Sequence, residues 1–128
     1  MAVIRSFRDL QVYQRARSEA KVLYEITRHF PGEERFSLTD QMRRSSRAVN
    51  ALIAEAWARH RYRAVFINKI SEALGETSET QAWLDHALDC GYVSAARHRE
   101  LDSAWQSVGA MLRRMIERAD TFCPETPT

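Results

Sequence analysis

Apolar residues recur along most of this chain at steps of three and four, the period of a helix with one buried face. The clearest stretch runs from Ser37 to Arg63. At about 100° per residue, Leu38, Met42, Ser45, Val49, Leu52 and Ala56 share one side, while Arg43, Arg44 and Arg47 point to the other. Ser37 stands three residues before Asp40, so its hydroxyl is expected to cap the first-turn amides and a helix to start near Leu38. A capping pair at Ser6 and Asp9 opens an earlier helix that carries Tyr13, Ala16, Ala20, Leu23, Thr27 and Phe30 on one face. It should stop near Phe30, because Pro31 disfavours helical geometry in the residue before it.

The apolar phase is lost at His60 to Arg63, which predicts a turn without Gly or Pro. A third helix follows from about Ala64 to Cys90, with Phe66, Ile70, Leu74, Thr77, Gln81, Leu84 and Leu88 as its stripe. Gly91 closes it, being the residue best able to take left-handed backbone after a helix. The fourth helix begins after Ser94, places Leu101, Trp105, Val108, Leu112, Met115 and Ile116 along a broad stripe, and ends near Thr121. Four amphipathic helices with short connections predict an all-α, antiparallel up-down-up-down four-helix bundle over residues 1–121, with 122–128 as a flexible tail free of core residues.

Composition agrees with one domain. The 128 residues are 45% hydrophobic and 28% charged, and four Gly and three Pro leave few places for turns. The formal charge of +2 hides segregation: Thr39 to Arg63 holds six Arg against Asp40 and Glu55, whereas Lys69 to Gly91 holds one Lys against five acids. Such a balance argues against a general nucleic-acid coat but leaves a local basic patch able to meet phosphates or a partner's carboxylates. Cys90 and Cys123 are too few for a disulfide framework and are expected to be free thiols. With no signal-peptide pattern and no apolar run long enough for a bilayer, a cytoplasmic location is the default expectation.

Particular phrases sharpen the picture. FRDLQVYQRA in the first helix, FP and FSLTDQMRRSSRAV leading into the second, IAEAW after it, and SETQAWLDHALDCGYVS closing the third resemble the four helix bundle proteins first noticed as products of intervening sequences in bacterial 23S ribosomal RNA genes. The resemblance spans Phe7 to about Asp120. That family is in turn similar to the accessory bundle protein of diversity-generating retroelements, a pentameric barrel that binds nucleic acid and a reverse transcriptase. The resemblance implies a ring of five bundles here and basic residues used on nucleic acid. The chain departs from the family at Leu52-Ile53-Ala54-Glu55-Ala56, where Asn-Ile-Ala-Glu-Gly is common, and at Glu76, where a small hydroxyl residue is usual.

Arg43, Arg44 and Arg47, extended by Arg59, Arg61 and Arg63, supply planar donors suited to phosphate oxygens. The alternative is a solvated face, or pairing with Glu72, Glu76 and Glu79 of the third helix, which lie opposite its apolar stripe. Basic helix against acidic helix between subunits would make a head-to-tail contact of the kind that closes into rings. Trp83 falls on the outward acidic side of the third helix, and Trp57 and Ile53 form a similar shoulder on the second, so these three are expected at a subunit interface. Thr77 and Gln81, on the core stripe, should find hydrogen-bond partners. His86 and Cys90 are four apart but lack further ligands, so no metal is expected. No phosphate loop or nucleophile elbow is present, which predicts a binding protein without a cofactor rather than an enzyme. The leading function is a nucleic-acid or ribonucleoprotein accessory role; the alternative is a protein-interaction scaffold whose arginines serve subunit or partner contacts.

Overall fold

The computed structural model describes residues 3–124, and the last residues of the expected tail, 125–128, lie outside that range. Four long helices build it: α1 (Gln11–Thr27), α2 (Leu38–Ala58), α3 (Arg63–Asp89) and α4 (Ala95–Glu117), followed by a short α5 (Ala119–Phe122). There is no strand among the described residues. Each long helix packs on the next, and α1 also meets α4. Cross-helix contacts run in opposite order along neighbouring pairs. Arg43 reaches Thr27 whereas Asn50 reaches Tyr13, and Ser45 meets Thr80 whereas Glu55 meets Lys69.

The helix ends show where local chemistry was decisive. Ser6 and Asp9 do form a capping box, but it caps a single 3-10 turn at Phe7–Asp9 rather than α1. Leu10 then takes extended backbone and sinks its side chain into the core, so the α-helix starts one residue later, at Gln11. At its other end α1 stops at Thr27, three residues before the expected Phe30. The amides of His29 and Phe30 bond three residues back, to Ile26 and Thr27, and tighten the chain ahead of Pro31. Ser37 precedes α2 as expected but does not cap it with its hydroxyl. Its backbone (φ −125°, ψ −107°) departs from the extended geometry that aims a serine at the first-turn amides, and only its carbonyl contributes, to Gln41. Ser94 does cap α4, accepting from the Arg97 amide at 3.1 Å. After α3, Gly91 adopts φ +75° while its own amide bonds Leu88 and that of Tyr92 bonds Ala87. This is a Schellman closure, which needs left-handed backbone at that position.

The core is continuous across all four long helices. Its largest fully enclosed side chains include Trp105, Phe66, Leu23, Met42, Ile53 and Ile70. On α3 the buried set is Phe66, Ile70, Ala73, Thr77, Thr80, Leu84 and Ala87, while Leu74, Gln81 and Leu88 of the expected stripe are only half-buried. The reason is that α3 is covered by α2 on one side and α4 on the other, so its hidden arc is wider than one stripe. The small residues Ala73, Thr80 and Ala87, spaced seven apart, lie in that arc, and Thr80 touches Ser45 of α2.

Packing also continues past the expected end of the domain. Phe122 lies nearly parallel to the Phe66 ring at 5.9 Å between centroids, and Cys123 is buried. Burial pushes the Cys123 thiol pKa up, against the nearby Arg63 that lowers it. The expectation of a tail without core residues therefore fails for Phe122 and Cys123, because α5 folds the chain back onto the first turn of α3. Arg63 fastens the same corner through a 2.7 Å ion pair to Asp120. Both cysteines are free thiols. Among the described residues, no helix is long and apolar enough to cross a membrane.

Candidate nucleic-acid interface

The six arginines singled out in the sequence do not form one surface. Arg43 folds against α1, where its Nε donates to Thr27 Oγ1 at 2.9 Å and its guanidinium carbon lies 4.6 Å from the Tyr24 ring centroid. Thr27 in turn donates back to the Leu23 carbonyl at 2.8 Å, which fixes the hydroxyl that receives Arg43. Arg47 follows one turn later and lies over the same tyrosine at 5.8 Å. Arg44, between them in sequence, belongs to another face: its charge acts on Glu76 of α3. Arg59, Arg61 and Arg63 occupy the α2–α3 turn. Sixteen residues of helix separate Arg43 from Arg59, about 24 Å at 1.5 Å per residue, so the two groups cannot share one short ligand segment.

A site does form where α1 meets α2. Tyr13, Arg17, Lys21 and Tyr24 from α1 join Arg47 and Asn50 from α2 around an open groove of about 360 Å³. No carboxylate is among its lining residues. Asn50 donates its amide to the Tyr13 carbonyl at 3.1 Å and so ties the helices at one end, as Arg43 does at the other. Arg17, Lys21 and Arg47 are exposed, and Tyr24 keeps 39% of its surface. Three free cations and the aromatic rings on a fixed backbone can engage phosphates and a base face together.

Arg17 and Lys21 had no place among the residues chosen from sequence. The signal was present as Tyr13, Arg17, Lys21 and Tyr24 at steps of four, four and three, a stripe on α1. Assigning Tyr13 to the core concealed it, for its ring is half-buried, packed edge-on to Phe7.

The residues expected at a subunit interface also separate. Ile53 is wholly enclosed within the chain and is a correction: the α2 core runs through Met42, Val49, Ile53 and Ala56, with Leu52 half-buried beside it. Trp57 is half-buried and stacked on His60 at 4.0 Å. Trp83 is half-buried against the core, with its indole N–H shielded and unpaired. Glu72 is engaged by Lys69, which also reaches Glu55. Burial, followed by the charge and hydrogen bond of the adjacent Glu79, raises the Glu76 carboxyl pKa, and Arg44 opposes the shift. Thr77 finds the Ala73 carbonyl, and Gln81 finds Asp102 and Gln106.

A mixed basic and aromatic seam on an all-helical bundle, with no assembled catalytic machinery in view, defines a binding protein by class. The chain belongs to the 23S rRNA-intervening sequence protein family, whose sequence profile matches residues 8–114. Its fold is similar to that of a protein of unknown function from the S23 ribosomal protein family of Bacteroides thetaiotaomicron, at 25% identity and a TM-score of 0.75, covering 83% of this chain and 95% of that one. No curated protein sequence matches the chain.

Proposed function

We propose that this chain is a nucleic-acid accessory protein, an up-down-up-down bundle that holds single-stranded RNA or DNA on the α1–α2 seam and acts by binding alone. The observation that carries the reading is the groove between Tyr13 and Tyr24, lined by three exposed cations and no carboxylate. Arg43 belongs to the site as a positioning residue, because it holds Tyr24 and the end of α1 in place. The Arg59, Arg61 and Arg63 turn stands outside it. Self-association into a ring would repeat the seam around the particle and lengthen the bound segment.

The test is fluorescence anisotropy with a labelled mixed-sequence single strand between 50 and 200 mM salt, beside light scattering for particle mass. Three phosphate contacts give a slope of log affinity against log salt of about −2, at about −0.7 per contact on single strands. Arg17→Glu with Lys21→Glu should weaken binding and flatten the slope, while Arg59→Glu with Arg61→Glu should leave both nearly unchanged. If reversing charge at 17 and 21 leaves affinity intact, the seam is not the binding surface.

A further inference from the structure

On the opposite flank, where α3 meets α4, three metal-ligating side chains converge. Asp85 projects from α3, and His98 and Asp102 project one turn apart from α4. One ligand atom from each lies within 4.8 Å of the other two. His98 Nε2 and Asp85 Oδ1 are 2.9 Å apart, and the imidazole is only 15% exposed. From metal–ligand bonds of about 2.0–2.1 Å, neighbouring ligand atoms in tetrahedral or octahedral geometry stand about 3.0–3.4 Å apart. The His98–Asp85 separation already matches, and the exposed Asp85 carboxylate is free to adjust.

Two features exceed what a simple ion pair requires. A histidine needs one carboxylate, yet two are brought to it, and their mutual repulsion calls for more than one positive charge. The Asp102 carboxylate is also aimed: Gln81 Nε2 donates to its Oδ1 at 3.1 Å, leaving the other oxygen free. Such an outer donor is how metal-binding carboxylates are oriented. Arg97, the nearest cation in sequence, turns away to Glu100 at 2.8 Å.

We infer that Asp85, His98 and Asp102 form a binding site for a first-row divalent cation of the zinc, cobalt or nickel class. One imidazole nitrogen and two carboxylate oxygens suit such borderline ions, and three protein ligands leave a position for water or for a donor from a partner. The site is independent of the basic seam and clamps the middle of α3 to the first turns of α4.

The experiment is titration of the intact protein with Co²⁺, read by visible absorption and by calorimetry, with Zn²⁺ as competitor. Wild type should take up one Co²⁺ with d–d bands that Zn²⁺ displaces. His98→Gln and Asp102→Asn should each abolish the bands, and Gln81→Leu should weaken affinity by about tenfold, as expected on losing an outer-shell donor. His86→Ala with Cys90→Ser should change nothing. Helicity by circular dichroism confirms that each variant is folded. Bands that persist in His98→Gln, or are lost with His86 and Cys90, would place the ion elsewhere and overturn the assignment, as would wild-type protein that binds no Co²⁺.

Discussion

Replacing Thr80 with valine keeps the shape of the side chain and deletes one hydroxyl from the α2–α3 contact. Thr80 and Ser45 are both buried, with their oxygens 2.8 Å apart. Thr80 Oγ1 is also 2.9 Å from the Glu76 carbonyl, whereas Ser45 Oγ reaches the Met42 carbonyl only at 3.4 Å. Each hydroxyl has one proton to give. The arrangement with the shorter bonds sends the Ser45 proton to Thr80 and the Thr80 proton to Glu76. Valine strands the Ser45 donor with its long contact to Met42, at a cost of about 1–2 kcal/mol, of which a buried methyl returns part. The net loss should be near 1 kcal/mol, or about 3–5 °C in melting temperature for a chain of this size. Urea unfolding followed by far-UV circular dichroism measures it, and the slope against urea should not change. Ser45→Ala in the valine background removes the stranded donor, so the double variant should be more stable than the two single losses predict. Strict additivity, or a Thr80→Val protein as stable as wild type, would refute this proton arrangement.

Three further outcomes follow from the same structure. Tyr92 donates to Glu34 at 2.8 Å, and that bond, with burial, pushes its phenol pKa up to about 12. Because the folded value lies above the ordinary one of about 10, the bond stabilises the fold below pH 10 and its contribution is lost as pH rises towards 12. In an ultraviolet titration one of the four tyrosines should ionise last, and Glu34→Gln should bring it back among the others. Exposed Cys90 should react with a thiol reagent at once and buried Cys123 only slowly, with both equal after unfolding. Phe122→Ala should cost about 2 kcal/mol, below the range for a fully buried phenylalanine because this ring is half-buried, and chemical denaturation reads it directly.

The four long helices were legible because Gly91, Pro31 and Ser94 punctuate a strong apolar period. What periodicity could not show was how many sides of a helix are covered. On α3, Ala73 and Thr80 are buried because α2 and α4 flank it, and no single-stripe projection contains that information. Ile53 was misplaced for the same reason, since a shoulder one residue from a core stripe is enclosed when a neighbouring helix overhangs it. Phe122 and Cys123 follow the last long stripe and carry no period of their own. Their burial depends on the α2–α3 corner beneath them. The candidate site was half visible: Arg43 and Arg47 lie on the expected helix, but Arg17 and Lys21 join them only through the pairing of α1 with α2. The Asp85, His98 and Asp102 cluster is likewise scattered in sequence and assembled by helix register.

The short turn between α2 and α3 bears on the order in which the protein folds. Its residues contain neither Gly nor Pro, yet the Arg59 amide bonds Glu55 and Ala56, His60 bonds Trp57 and Tyr62 bonds Arg59, so the reversal is built from local hydrogen bonds. Closing so short a loop is fast, and it brings two long helices together before any distant part of the chain is needed. The α2–α3 hairpin is thus the natural nucleus, with α1 and α4 docking onto it later. In the native ensemble the same hierarchy runs in reverse: amides in the middle of α2 and α3 should exchange only through global unfolding, while those of α1 open in smaller and more frequent excursions.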